Sequence, residues 1–369
     1  MLHAHQAVNI FTGEEWLIDS AILEENGTIK AVVPNGHIPS SANVTNYTTG
    51  FLAPCFIDLQ IYGAYGSLLS VYPTAGTLKK IYEYCSAGGA PYFQPTVATN
   101  SYDVFYQCVD AVREYRNGGG KGVIGLHVEG PWINKAKKGA HVEQFIHSPT
   151  REEAHALLEY GKGVISMITL APEICSTEVI ELIRSYGVII SAGHSNATFS
   201  EANGGFSNGI ETATHLFNAM SPLQHRAPGI VGAVLHHDKV RCSIVADGYH
   251  VDFPVVSIAK RVMQERLFFI TDAVTETAFG DYPHKLVGDK YESEGILSGS
   301  ALTMAKCVKN GVDEAGIELS EALRMASLYP AQVVGLDQEL GRFAEGYKAA
   351  FVVMNDDLEA MQVVGSAFL

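Results

Sequence analysis

Apolar and polar positions alternate in short runs along residues 1–49, at 7–11, 15–22 and 28–33, with Asn26-Gly27 between the last two. A period of two predicts strands with one buried face, and Asn-Gly between such runs predicts a hairpin. The last thirty residues have the same texture, with 350–354 a strand candidate after Glu345-Gly346. From about residue 50 the pattern becomes a recurrence of apolar run, turn and helical stretch, as parallel βα units require. Eight apolar runs read as strands: 51–62, 92–99, 122–129, 164–171, 187–194, 210–215, 240–247 and 267–272. Apolar residues three and four apart predict helices over 74–87 and 102–116. Thr150 and Glu153 have capping-box spacing before 154–160, and Ser320, Leu323, Met325, Ala326 and Leu328 mark another helix. Eight parallel strands over roughly 250 residues suit a closed (β/α)8 barrel. The open doubly wound sheet is the alternative, but no Gly-x-Gly-x-x-Gly follows the first strand. The expectation is an α/β fold: a (β/α)8 TIM-like barrel over 50–339, and a small β-sandwich domain formed from both ends, 1–49 and 340–369.

Of the 369 residues, 47% are hydrophobic and 18% charged, enough apolar material to offset the chain entropy of folding, which excludes a disordered chain. Twenty-five Lys and Arg stand against 40 Asp and Glu, and the net charge of -15 repels nucleic acid and anionic membranes. An anionic ligand must therefore be held by a local cluster of positive groups. The six cysteines form no CxxC pair, the pattern of free thiols in a reducing compartment. No run of 18 apolar residues occurs, and Met-Leu-His-Ala-His-Gln lacks the layout of a secretory signal. A soluble cytoplasmic protein is expected, with neither nucleic acid nor membrane as partner.

Fourteen histidines remain to be placed. Chemistry in such a barrel collects at the C-terminal ends of the strands. The third strand ends His127-Val128-Glu129-Gly130-Pro131, the fifth Gly193-His194-Ser195, the sixth Thr214-His215-Leu216 and the eighth Thr271-Asp272. Singly, such a histidine reads as a core residue and such an aspartate as a helix cap. Together, one carboxylate and two imidazoles on one rim have the composition of a catalytic zinc site with an open position, and Asp272 is placed to take a proton from water.

Seven stretches resemble the N-acetylglucosamine-6-phosphate deacetylases of the amidohydrolase superfamily, in order along essentially the whole chain. They are Ala53 to Gln60, His127 to Pro131 with Lys138-Gly139-Ala140-His141, Gly193 to Ala197, Thr214 to Met220 with Arg226 to Gly229, Asp247 to His250, Thr271 to Ala273, and Ser298 to Met304. The resemblance implies one divalent metal ion per subunit, zinc first with iron or manganese as alternatives, held by Glu129, His194 and His215. It implies that Asp272 is general base and then general acid, and that His141 stabilises the acyl oxygen. It implies substrate contacts at Ala140, His141, Asn218, Ala219, Arg226, Asp247, Gly248, Tyr249, His250, Leu297, Ser298 and Gly299, with Arg226 and His250 on the phosphate, and a homodimer. The remaining histidines, His284 among them, read as structural.

Many amidohydrolases carry His-x-His after the first strand, whereas this chain has Gln60-Ile61-Tyr62. Neither Gln60 nor Tyr62 is a good zinc ligand, so a single-metal site is expected. Strand four ends Leu170-Ala171-Pro172-Glu173, without a lysine for a bridging carbamate. Three rival readings stand beside this one: a deacetylase of the galactosamine epimer, a hydrolase of cyclic amides, and an inactive metabolite-binding relative.

Overall fold

Eight parallel strands pair in chain order in the computed structural model, whose described residues are 1–277 and 279–365. They are Ile57–Ile61, Tyr92–Ala98, Leu126–Glu129, Ile165–Leu170, Ile189–Ala192, Thr212–Ala213, Arg241–Ile244 and Leu267–Phe269. Beyond the last strand, Asp272 N donates to Gln60 O at 3.0 Å and Tyr62 N to Ala273 O at 2.9 Å, joining the two edges into the TIM-like barrel. The strands are covered on both faces, so they read as continuous apolar runs rather than alternating ones.

The outer helices form where apolar residues recur at helical spacing. In Ala75–Ala87, Thr74 caps the N-terminus by accepting from Thr77 N, and Leu78, Ile81 and Cys85 face the sheet. Burying Leu78 and Ile81 contributes about 1.5–3 kcal/mol each. A charge at Ile81 would undo that. The Thr150–Glu153 capping box opens Arg151–Tyr160. The last expected helix is two, Leu319–Ala326 and Leu328–Val333, broken at Ser327.

Strands from both ends of the chain share one six-stranded sheet, in the order Ala360–Val364, Phe351–Met354, Asn43–Pro54, His3–Phe11, Trp16–Glu25 and Thr28–Pro34. Asn26 and Gly27 both have positive φ, 54° and 78°, as the tight hairpin requires. The 51–62 run is two strands rather than one. Phe51 to Pro54 pair with Phe351 to Met354 in this sheet, and only Ile57–Ile61 joins the barrel. Both segments are apolar and buried, so periodicity gave no sign of the break. The sheet is tied to the barrel by Trp16 Nε1, which donates to Ser320 Oγ at 2.9 Å, and by Arg324, which donates to the carbonyls of Gly13 and Glu14.

A three-stranded antiparallel sheet, Lys285–Val287, Lys290–Ser293 and Ile296–Ser300, follows the last barrel strand and was not expected. Its signals were the turn pairs Gly288-Asp289 and Glu294-Gly295. All six cysteines are free, and no helix among the described residues is long and apolar enough to cross a membrane.

Candidate active site

Glu129 ends the third barrel strand, and His194, His215 and Asp272 follow the fifth, sixth and eighth by a few residues. His194, His215 and Asp272 have φ of 47°, 35° and 54°, a region that non-glycine residues adopt at a cost. Leaving the ladder this way turns each side chain over the mouth of the barrel, and it explains why these strands end earlier than their apolar runs.

The side chains converge on the Glu129 carboxylate, which is 1% exposed. His215 Nε2 lies 3.1 Å and His194 Nε2 3.4 Å from Glu129 Oε1, and the two Nε2 atoms are 3.1 Å apart. His194 Nδ1 donates to the Lys137 carbonyl at 2.9 Å, which leaves the Nε2 lone pair facing the cluster. Tetrahedral ligands 2.0–2.1 Å from one zinc ion would be ~3.3 Å apart, so this donor set fits a single metal ion. On the other carboxylate oxygen, Oε2, His141 Nε2 stands at 3.3 Å, and His141 Nδ1 pairs with Thr99 Oγ1 at 2.7 Å. Glu129, His141 and His194 thus make an overlapping donor group. His215 is the better third ligand, because its Nε2 shares Oε1 with His194 whereas His141 faces Oε2.

Burial would push the Glu129 carboxyl up, but the imidazoles of His141, His194 and His215 around it hold it well below the usual range. Burial likewise pulls His215 down, and the hydrogen bond and charge of Glu129 outweigh it, leaving His215 above its ordinary value. His141 is pulled down to about 4 by burial and by His194, so it is neutral at pH 7. Asp272 is pushed up, chiefly by burial, with Glu129 adding to this and His215 and His250 opposing it. A carboxyl so placed suits proton transfer. His250 Nε2 is 3.8 Å from Asp272 Oδ2, and its Nδ1 donates to Asp247 Oδ2 at 2.6 Å.

One cavity is lined by Glu129, Ala140, His141, His194, His215, Asn218, Ala219, His250, Asp272, Leu297 and Ser298, all expected at the site. Five expected residues do not line it. Asp247 stands behind His250, Gly248 precedes it in a turn with φ 78°, and Tyr249 is half exposed with Lys290 Nζ over its ring. Gly299 packs against Asp272, where a Cβ would lie 3.1 Å from the Asp272 carbonyl and 2.6 Å from Val274. Arg226 is exposed on the loop after Ala219 and does not line the cavity. No lysine or arginine lines the cavity among the described residues.

Residues not expected as site residues also line it: Leu68, Ser70, Ala98, Gly139, Val274 and Tyr282, with Tyr62, rejected as a metal ligand, and His284, whose reading as a structural histidine is thereby corrected. Tyr282 Oη donates to the Thr99 carbonyl at 2.6 Å, and His284 Nδ1 pairs with Ser298 Oγ at 2.8 Å. Burial pulls His284 down to about 4. Tyr282 and His284 lie just before the unexpected three-stranded sheet, Thr99 follows the second barrel strand, and no local pattern marked their meeting at the cavity.

Residues 51–367 match the amidohydrolase family. The chain belongs to this family. Within it, the chain is similar to the N-acetylglucosamine-6-phosphate deacetylase of Haemophilus influenzae, 33% identical and covering 97% of this chain and 95% of that one. It is also similar to the N-acetylgalactosamine-6-phosphate deacetylase of Escherichia coli O157:H7, 30% identical over 98% of each. Among solved amidohydrolases, the crystal structure of N-acetylglucosamine-6-phosphate deacetylase from Pasteurella multocida matches with a TM-score of 0.94, at 33% identity over 99% of this chain and 98% of that one. The family is metal-dependent, which the buried donor set suits.

Proposed function

We propose that this amidohydrolase removes the N-acetyl group of N-acetyl-D-glucosamine 6-phosphate, giving D-glucosamine 6-phosphate and acetate. One observation carries the reading: the Glu129, His194 and His215 donors meet beside Asp272 in one cavity, on a chain whose full-length relatives are amino-sugar-phosphate deacetylases.

Glu129, His194 and His215 would hold one divalent ion per subunit, zinc by the character of two imidazoles and a carboxylate, with iron or manganese as alternatives. When bound, the ion supplies Lewis acidity that lowers the pKa of a water and polarises the acyl oxygen. Asp272 would take a proton from the attacking water as it adds to the acetamide carbon. It returns the proton to the nitrogen as the C–N bond breaks, so acetic acid and a free amine leave, the acid then giving up its proton to the amine or to solvent as acetate forms. His141 donates from Nε2 to the acyl oxygen as it gains charge, positioned by Thr99 through Nδ1. His250, oriented by Asp247, faces the substrate beside Asp272.

The phosphate requires positive groups, no lysine or arginine lines the cavity among the described residues, and Arg226 is the one arginine or lysine in the expected substrate set. Its exposed position favours a homodimer in which this loop lies at the mouth of a cavity. Six free cysteines favour the cytoplasm. We also infer two domains, 50–339 around the site and 1–49 with 340–369 beside it, the Asn43–Pro54 strand running across the boundary.

The epimer, N-acetylgalactosamine 6-phosphate, is the second reading, favoured by the similar Escherichia coli enzyme. Acetate release from both sugars, compared as kcat/KM, decides between them. Chelation should abolish release and zinc should restore it; release that persists after complete metal removal would overturn the metal-dependent reading.

A further inference from the structure

The cavity wall contributed by residues 282–298 carries a polar group that the proposed chemistry leaves unused. Leu68, Ala98 and Tyr282 pack into one apolar cluster on this side. In the same wall stands His284, 5% exposed, whose Nδ1 pairs with Ser298 Oγ at 2.8 Å, so that Nε2 is the polar atom left for a ligand. A buried imidazole costs desolvation that an aliphatic side chain would avoid, and its place in a largely apolar wall calls for a partner. Burial, which pulls its pKa down to about 4, keeps it neutral at pH 7, so it offers a hydrogen bond rather than a charge. The neighbouring Tyr282 hydroxyl is already spent on the Thr99 carbonyl.

The place of His284 along this wall indicates what it meets. Tyr282 stands edge-on to His141, ring centroids 6.4 Å apart at 87°, and lies nearly parallel to the His284 ring at 6.0 Å and 15°. His141 marks the acyl oxygen, so the wall runs from the acyl group past Tyr282 to His284. In a 2-acetamido sugar the acyl group hangs from C2, and the hydroxyls at C3 and C4 follow around the ring. With Tyr282 next to His141, His284 falls beside the further of the two. We propose that His284, oriented by Ser298, hydrogen-bonds the C4 hydroxyl of the substrate and thereby sets which C4 epimer is deacetylated. The inference rests on the amino-sugar-phosphate reading above and names within it the residue that reads the sugar. The two epimers differ only in the direction of that hydroxyl. An imidazole held by Tyr282 and Ser298 pairs with one and is left unpaired by the other, and an unpaired buried group makes such discrimination large.

Substitutions in the full zinc-loaded chain test it, with kcat/KM for acetate release measured on the preferred epimer, on its 4-deoxy analogue and on the other epimer. In the parent, removing the C4 hydroxyl should lower kcat/KM about tenfold or more, because a buried partner is left unpaired. His284→Phe keeps an aromatic ring against Tyr282 and removes the polar atoms. It should lower kcat/KM for the intact sugar by a similar factor, make the 4-deoxy analogue nearly as good a substrate, and shrink the ratio between the epimers about tenfold. His284→Gln, which keeps a donor and an acceptor at similar reach, should retain part of both effects. A general loosening of the site lowers all three substrates alike and moves neither ratio.

Equal sensitivity of the parent and His284→Phe to loss of the C4 hydroxyl would overturn the contact, and so would a parent that makes no distinction between the epimers. A change confined to the preference for phosphorylated over unphosphorylated N-acetylglucosamine would place His284 on the phosphate and overturn it equally. Should His284→Phe fail to fold, Ser298→Ala decides: it frees Nδ1, so sensitivity to the C4 hydroxyl should fall, and parental sensitivity would overturn the inference. A parent protein that releases acetate from neither epimer overturns the proposed activity itself, and is thereby told apart from failure of this inference.

Discussion

Replacing Asp272 by asparagine isolates proton transfer from metal binding. The side chains have the same shape, and asparagine tolerates the left-handed backbone at this position, φ 54°. Asp272 N donates to Gln60 O and Ser300 N to Asp272 O, both at 3.0 Å, and neither bond involves the carboxylate. The asparagine Oδ1 can still accept from Gln60 Nε2, now 2.9 Å from Asp272 Oδ1. Glu129, His194 and His215 meet one another without Asp272, so metal content should be unchanged. What disappears is the group that takes and returns a proton. General acid–base catalysis contributes about 10²–10⁴-fold, or ~2.7–5.4 kcal/mol of barrier. Acetate release by Asp272→Asn should therefore fall at least a hundredfold in kcat, with one ion per chain by metal analysis. The pH profile adds a second reading. Burial raises the Asp272 pKa, and the base works only when ionised, so parental kcat/KM should fall as pH drops through a value above the ordinary 3.8 of an aspartate. That limb should vanish from the residual activity of the variant. A rate within about tenfold of the parent, metal retained, would refute the proton-transfer role.

Further outcomes follow from the supports of the site. Asp58, buried beneath it and bonded by Thr271 and the Gln60 amide, is pushed up to about 7 by burial. Its folded pKa exceeds its unfolded one, so its contribution to stability is full below about pH 3.8 and is lost as pH rises toward 7. Asp58→Asn should flatten denaturant stability across that window, and an unchanged slope would count against it. Gly299→Ala places a Cβ 2.6 Å from Val274 and 3.1 Å from the Asp272 carbonyl, so kcat should fall about tenfold or more while one metal ion stays bound; parental kcat would show that Asp272 does not depend on this close packing. Trp132 is fully buried with Nε1 donating to Tyr102 Oη, and Trp132→Ala should cost about 3–5 kcal/mol in urea unfolding; a loss under about 1 kcal/mol would mean that the core closes over the gap.

Local pattern carried the reading of this chain as far as elements and their chemistry. The βα recurrence, the Asn26-Gly27 hairpin and the Thr150–Glu153 capping box depend on neighbours in sequence, so they were legible there. The same holds for Glu129, His194, His215 and Asp272, because a parallel strand delivers its last residues to one rim of the barrel whatever the rest of the chain does. The approach of Gln60 to Asp272, 212 positions later, exists only because the first and last strands close the ring. Thr99 behind His141, and Tyr282 and His284 in the cavity wall, likewise depend on where separate loops come to rest. The division of 51–62 between two sheets and the exposed place of Arg226 were also decided in three dimensions. Residue type and spacing determine which groups can do chemistry, and the closure of the barrel decides which of them touch.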